Sequence, residues 1–132
     1  MSLADFPLAP SAGRRVLIAD DDRNLRAILE AILVDQGYEV WGAGDGLEAL
    51  AAIERMPPLL LLLDLRMPRL GGLEVLEHLR NTERRFPVIV ITAQTEAVDA
   101  VVARGAAGVL VKPVGLDLLI ETVRAAVDRS AP

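Results

Sequence analysis

Five polar residues that could act together chemically stand directly after short apolar runs. They are Asp20 and Asp21 after Val16–Ala19, Asp64 after Leu59–Leu63, Thr92 after Val88–Ile91, and Lys112 after Val109–Val111. Apolar runs without polar alternation are typical of strands buried on both faces of a parallel sheet. Open α/β sheets bind ligands at the edge where their strands end. The sequence therefore predicts that these side chains form one site.

The residue types in this set point to a cation and a phosphoryl group. Three carboxylates at close quarters repel one another, and oxygen ligands without His or Cys favour Mg²⁺. Lys112 and Thr92 are not needed to hold a metal, but they would neutralise and hydrogen-bond the oxygens of a phosphoryl group. Carboxylates can accept such a group as aspartyl phosphates. Asp64 is the candidate acceptor because it is single and central, whereas Asp20 and Asp21 come as a pair suited to the metal.

A strand followed by a helix recurs five times along the chain. Strands are expected at 16–19, 38–41, 59–63, 88–91 and 109–111. Helices are expected after the acids at 20–22, from a cap at Asp45, after Gly71, over about 95–104 and over 116–127. The pattern predicts the α/β class, with a doubly wound five-stranded parallel sheet. In the flavodoxin-like strand order 2-1-3-4-5, strands one, three, four and five are neighbours, so the residues at their ends converge.

Composition excludes several classes of function. The chain has 132 residues, of which 52% are hydrophobic and 25% charged, as expected for one folded domain. Its net charge of −5 gives no electrostatic basis for direct binding of nucleic acid. The absence of cysteine excludes disulfides and thiolate metal sites. No apolar run is long enough to span a bilayer and no signal-peptide pattern is present, so we expect a cytoplasmic protein without a membrane association.

Four motifs give the chain a strong resemblance to the receiver domain of bacterial two-component response regulators. In chain order they read V-L-I-A-D-D-D, L-L-D-L-R-M-P-R-L-G-G, V-I-V-I-T-A and V-L-V-K-P. The resemblance implies that a sensor histidine kinase or a histidine phosphotransfer protein donates a phosphoryl group to Asp64. It also implies that the domain is a Mg²⁺-dependent conformational switch, and not an enzyme beyond assisting its own phosphorylation and dephosphorylation.

The same resemblance assigns roles to individual residues. Thr92 and Lys112 would contact the phosphoryl oxygens, and the bond between Lys112 and Pro113 would be cis. The implied holders of Mg²⁺ are Asp21 directly, Asp20 largely through water, a carboxylate oxygen of Asp64, and the backbone carbonyl of Arg66.

The resemblance covers residues 14–129, which we expect to form the receiver domain. Residues 1–13 contain two prolines and no periodicity, and we expect a flexible N-terminal arm there, with a short C-terminal tail at 130–132. No effector domain follows residue 127, so the sequence fits either a freestanding regulator or part of a longer one. The implied partner is a downstream output protein or a lost effector domain. The fourth helix, fifth strand and fifth helix form the implied output face and a candidate homodimer surface.

Three features depart from the family pattern. Val109 replaces the switch aromatic on the fifth strand, Val114 replaces the phenylalanine that commonly follows the Lys-Pro pair, and the segment from Thr92 to Gly105 is slightly short. These changes leave the chemistry in place and bear on how a signal leaves the domain.

Several residues have competing interpretations. Asp22 could be a third metal ligand, but the cap of the first helix is the favoured interpretation. Arg66 could control the access of water to a phosphoryl group or be a solvated loop residue, and His78 is expected on the surface. A pseudo-receiver that binds partners without phosphorylation is the alternative function. A Mg²⁺-dependent aspartyl phosphatase would need a second acid where Arg66 stands.

Overall fold

The computed structural model describes residues 14–130, and the expected N-terminal arm and the last two residues of the tail lie outside this range. Strands and helices alternate in the predicted way. The elements are β1 (Arg15–Ala19), α1 (Arg23–Asp35), β2 (Glu39–Ala43), α2 (Gly46–Arg55), β3 (Leu60–Leu63), α3 (Gly72–Arg80), β4 (Val88–Thr92), a 3₁₀ turn (Thr95–Ala97), α4 (Val98–Ala103), β5 (Gly108–Val111) and α5 (Leu116–Ser130).

The five strands form one parallel sheet in the order β2-β1-β3-β4-β5, as predicted. The register brings the strand ends level with one another. Ala19 at the end of β1 pairs with Leu63 at the end of β3, and Thr92 at the end of β4 pairs with Val111 at the end of β5. The residues that follow these ends therefore lie side by side at one edge of the sheet.

Alternate residues of the central strands serve two separate apolar layers. Leu61 and Leu63 of β3 belong to a cluster with side chains of α2, α3 and α4, whereas Leu60 and Leu62 belong to a cluster with α1 and α5. These four leucines are at most 1% exposed. A leucine run with no polar alternation is therefore what a strand between two helical layers requires.

Side-chain caps define where the first two helices begin. Asp22 accepts hydrogen bonds from the backbone N–H groups of Asn24 and Leu25 at 2.9 and 3.1 Å, which confirms its predicted capping role. Asp45 caps α2 through the N–H of Glu48 at 2.8 Å. The predicted cis bond between Lys112 and Pro113 is present.

The region after β4 differs from the single helix expected over about 95–104. It consists of the 3₁₀ turn and the six-residue α4, and neither begins with a side-chain capping hydrogen bond. At the other end of the chain, α5 continues to Ser130, three residues beyond its expected end. Within residues 14–130, no helix is both long and apolar enough to cross a membrane.

Candidate functional site

The structure brings all five strand-end residues together. Asp20, Asp64 and Thr92 are buried, with 2%, 6% and 1% of their surfaces exposed, while Asp21 is exposed beside them. One carboxylate oxygen from each of the three acids lies within 4.8 Å of the others. The Nζ atom of Lys112 lies 3.1 Å from Oδ2 of Asp20 and 3.4 Å from Oδ2 of Asp64. One ammonium group therefore contacts the two buried carboxylates, and the exposed Asp21 adds a third acid to the cluster.

Backbone hydrogen bonds beyond the strand ends hold these residues in place. The N–H of Asp64 donates to the carbonyl of Ala19 at 2.9 Å, and the N–H of Lys112 donates to that of Thr92 at 2.9 Å. The backbone N–H of Asp20 likewise donates across the sheet edge, at 3.0 Å to Ala43. The ladder thus continues one residue past each strand and fixes the Cα positions of the functional residues.

Each buried carboxylate has one oxygen held by the backbone and one turned toward Lys112. Oδ1 of Asp20 accepts from the N–H of Asp22 at 2.9 Å, and Oδ1 of Asp64 accepts from the N–H of Leu65 at 2.8 Å. Arg26 of α1 also donates to the backbone carbonyl of Asp20 at 2.6 Å. The two Oδ2 atoms are consequently presented to the same space beside Lys112.

The ionisation of the site reflects burial and mutual repulsion. Burial raises the pKa of Asp64, and the charge of Asp20 raises it further, against the opposing effect of Lys112. Burial alone would lower the pKa of Lys112, but hydrogen bonds to Asp20 and Asp64, and the charges of both acids, outweigh it and raise that pKa. The Lys112 ammonium therefore stays charged, but its charge does not fully offset the burial and repulsion that raise the pKa of Asp64.

A cavity of about 420 Å³ opens over Asp64. The residues that line this cavity are those that an entering ligand would meet: Asp21, Asp64, Arg66, Thr92, Ala93, Gln94, Glu96 and Lys112. The hydroxyl oxygen of Thr92 accepts from the N–H of Gln94 at 2.9 Å, which leaves its proton free to donate into the cavity. Arg66 therefore lies at the site, although its side chain is largely exposed.

The donor set fits Mg²⁺. The three carboxylates provide only oxygen ligands, and they form the single acidic or histidine cluster of this kind in the part of the chain that the structure describes. Two of the acids are buried, and Lys112 leaves two negative charges in excess. A hard divalent cation would balance those two negative charges.

Sequence reasoning missed two pairings next to the site. With its amide oxygen facing Arg66, Gln94 accepts from Nε at 2.8 Å and from Nη2 at 3.3 Å. Asp45, expected only as a helix cap, also forms an ion pair with Arg69, whose Nη2 lies 2.8 Å from Oδ2. The capping pattern was the only signal for Asp45. The motif that contains Arg66 and Arg69 gave no sign of the partner of either side chain.

The family profile of the response regulator receiver domain matches residues 16–124. This chain belongs to that family. Receiver domains are signalling modules of two-component systems.

Known relatives and solved structures agree with this assignment. Response regulator MprA of Mycobacterium leprae (strain TN) is 42% identical over 120 residues, which cover 89% of this receiver domain chain and 53% of the relative. The chain therefore spans about half the length of the curated relatives it matches. The receiver domain of Francisella response regulator 1452 superposes with a TM-score of 0.85 at 31% identity, covering 89% of this chain and 99% of that one. Thermotoga maritima TrrA, solved in complex with Mg(2+)-BeF, gives a TM-score of 0.80 at 32% identity over 86% of this chain and 98% of that one.

The family departures occupy well-defined places in this receiver domain. Val109 is half-buried and packs against the apolar layer on the side of α2, α3 and α4. Val114 packs against the opposite layer, formed with α1 and α5. His78 is exposed on α3, as expected. None of these residues contributes to the carboxylate cluster.

Proposed function

We propose that this receiver domain accepts a phosphoryl group on Asp64 in a Mg²⁺-dependent reaction and acts as a conformational switch. The observation that carries the proposal is the position of Asp64. Its carboxylate is buried, one oxygen is held by the backbone N–H of Leu65, and the other faces Lys112 at the floor of an open cavity. A nucleophile with an oriented free oxygen and an adjacent cation is suited to attack at phosphorus.

The proposed step transfers a phosphoryl group from a phosphohistidine. Oδ2 of Asp64 attacks the phosphorus atom, the new O–P bond forms as the P–N bond breaks, and the imidazole departs with the bonding electron pair. Lys112 neutralises the phosphoryl oxygens, and the hydroxyl of Thr92 donates a hydrogen bond to one of them. Asp20, Asp21, Asp64 and the backbone carbonyl of Arg66 would hold Mg²⁺, which when bound would supply the further charge neutralisation that phosphoryl transfer needs.

The proposal extends to the boundaries of the functional unit, its partners and its location in the cell. The functional unit is residues 14–129, acting in the cytoplasm, and its phosphodonor is a sensor histidine kinase or a histidine phosphotransfer protein. Its output is read by a downstream protein or an attached effector domain through α4, β5 and α5, the surface that we also propose for a homodimer. Exposed apolar side chains support the choice of this surface: Val102, Val111 and Leu118.

Intact mass spectrometry after incubation with a small acyl phosphate and Mg²⁺ tests the proposal. We expect the parent to gain one phosphoryl group, and we expect no gain in D64N or after removal of Mg²⁺. D22N is the matched control, because asparagine also caps helices and Asp22 points its oxygen at the α1 backbone. It should be modified like the parent.

Two outcomes would contradict the proposal. A phosphoryl group on D64N would show that another residue is the acceptor. No gain in the parent would leave the pseudo-receiver, a binding module active without phosphorylation, as the function to pursue.

A further inference from the structure

The loop between β3 and α3 carries Arg66 and is fixed at its base by close backbone contact. The N–H of Gly72 donates to the carbonyl of Leu65 at 2.9 Å. A Cβ atom on Gly72 would overlap the carbonyl oxygen of Asp64, so only glycine lets the start of α3 lie this close to the acceptor residue. The base of the loop therefore has little freedom to move relative to Asp64.

The far end of the same loop is fastened to the start of α2. The N–H of Gly46 donates to the carbonyl of Leu70 at 3.0 Å, and a Cβ on Gly46 would overlap that carbonyl oxygen. Nε of Arg69 donates to Oδ2 of Asp45 at 2.9 Å, and Nη2 lies 2.8 Å from the same oxygen in an ion pair. Within residues 14–130, two ion pairs join the loop to other elements: this one, and the pair of Asp64 with Lys112 at the start of the loop.

Asp45 is a rigid anchor for Arg69. It is buried, and its other oxygen caps α2 through the N–H of Glu48 at 2.8 Å. The capping bond, together with Arg69, holds the pKa of Asp45 below its usual value, so the anchor remains charged. Because both oxygens are engaged, the carboxylate cannot turn away from the loop without releasing the helix cap.

The backbone of Arg69 shows that the pairing works against a local preference. Its φ angle is +66°, in the left-handed region that favours glycine or asparagine. Arginine at this position is unfavourable for the backbone, whereas its side chain supplies the one ion pair that Asp45 forms in the described part of the chain. The residue type is therefore explained by the ion pair and not by the turn.

We propose that Arg69, held by Asp45, is a positioning residue for the Mg²⁺ site: it fixes the loop that presents the backbone carbonyl of Arg66 to the metal. This inference rests on the proposed function, since it assumes that Mg²⁺ binds there. Neither Arg69 nor Asp45 touches the carboxylate cluster. They would therefore change the affinity for the metal indirectly, by holding the loop in place. Supporting residues of this kind typically alter metal affinity by about 10-fold or more when they are removed.

Calorimetric titration of the unphosphorylated protein with Mg²⁺ tests the inference. R69G keeps the left-handed backbone without strain and removes the ion pair, so we expect Mg²⁺ affinity to fall about 10-fold. D45N keeps a capping oxygen for α2 and should weaken Mg²⁺ binding similarly, with no further loss in the double variant. R69K, which keeps the charge but loses the paired donors, should recover part of the affinity. R85A is the matched control, since it removes an exposed arginine from an ion pair with Glu83 outside the loop.

The kinetics of acyl phosphate labelling separate positioning from a purely structural role. The variants should need more Mg²⁺ for half-maximal labelling and reach the parent rate at saturation. Mg²⁺ affinity of R69G and D45N within twofold of the parent would overturn the inference, even if both variants unfold more easily. If the parent binds Mg²⁺ but is never labelled, the proposed function fails while the positioning of the metal remains testable by calorimetry.

Discussion

Replacing Asp64 with asparagine should stabilise the metal-free domain, although the change removes an ion pair. The 3.4 Å separation of Oδ2 from the Nζ of Lys112 corresponds to an attraction of about 5 kcal/mol at an effective dielectric constant of about 20. Asp20 and Asp21 each place an oxygen within 4.8 Å of Asp64, and this distance corresponds to a repulsion of about 3.5 kcal/mol per acid. Water screens the exposed Asp21, so the attraction and the repulsions largely cancel.

Desolvation then decides whether D64N raises or lowers the free energy of unfolding. Burial is the main reason why the pKa of Asp64 is raised, which means that the folded state disfavours the charged form. The amide oxygen of asparagine can still accept the hydrogen bond from Leu65, and Lys112 keeps its partner Asp20. We therefore expect D64N to raise the free energy of unfolding by about 1–2 kcal/mol, a small fraction of the penalty for fully burying a charge.

Urea denaturation at pH 7.5 in a chelator measures this difference, with the single tryptophan, Trp41, as the fluorescent probe. Mg²⁺ should reverse the order of stabilities, because a ligand at 100 times its dissociation constant adds about 2.7 kcal/mol to the state that binds it. D22N should stay within about 0.5 kcal/mol of the parent.

The pH dependence gives the same experiment a second check. Since the folded pKa of Asp64 is raised, its ionisation penalty is present above that pKa and disappears as the pH falls toward the ordinary value of 3.8. The advantage of D64N should therefore shrink on acidification. A variant less stable than the parent in chelator at pH 7.5 would refute the reasoning, because the pair with Lys112 would then outweigh burial and repulsion.

Three further changes test other parts of the molecule. K112M should lower the metal-free stability by about 3 kcal/mol in urea denaturation, because it leaves buried carboxylates unpaired; full stability without added cation would contradict this. Q94A should shorten the lifetime of the phosphoryl group in decay assays, because Arg66 loses the partner that holds it over the cavity; an unchanged lifetime would exclude this role. L62A should cost about 2–5 kcal/mol in urea, as for any fully buried leucine.

The sheet and the carboxylate cluster were predictable because both depend on strong, local sequence signals. A strand covered on both faces must be apolar at every position, so Leu60–Leu63 reveals β3 directly. The first polar residue after such a strand marks its end, and the strand order then determines which ends are neighbours. These two steps predict that the side chains of Asp20, Asp64 and Lys112 lie close together, and the distances between them in the structure agree with that prediction.

The pairings around the cluster were not predictable because they depend on loop conformation. Asp45 and Arg69 are 24 residues apart, and they meet only because Arg69 adopts a left-handed backbone and Gly46 admits Leu70. The pairing of Arg66 with Gln94 likewise joins two loops whose shapes no periodicity encodes. A charged side chain in a loop has many possible partners, so its residue type alone does not select one.

The extent of α4 was also hard to predict from periodicity. The sequence predicted one helix from about 95 to 104, ending at Gly105. No side chain caps its start, and the first turn forms as a 3₁₀ turn; the β-branched valines of α4 have a low helix propensity, and α4 is only six residues long. A helix of six residues obtains its stability mainly from packing, here through the fully buried Val101.

Excess negative charge links the stability of this receiver domain to its proposed chemistry. Three clustered carboxylates beside one lysine are an unfavourable arrangement for a metal-free protein, and neither the fold nor the core requires Asp64 to be charged. In the proposed function, one divalent cation would balance this excess until a phosphoryl group adds charge again. Partner binding alone would not need a charge at this buried position. The burial of Asp64 and the hydrogen bond that orients it therefore support the proposed chemistry at its free oxygen.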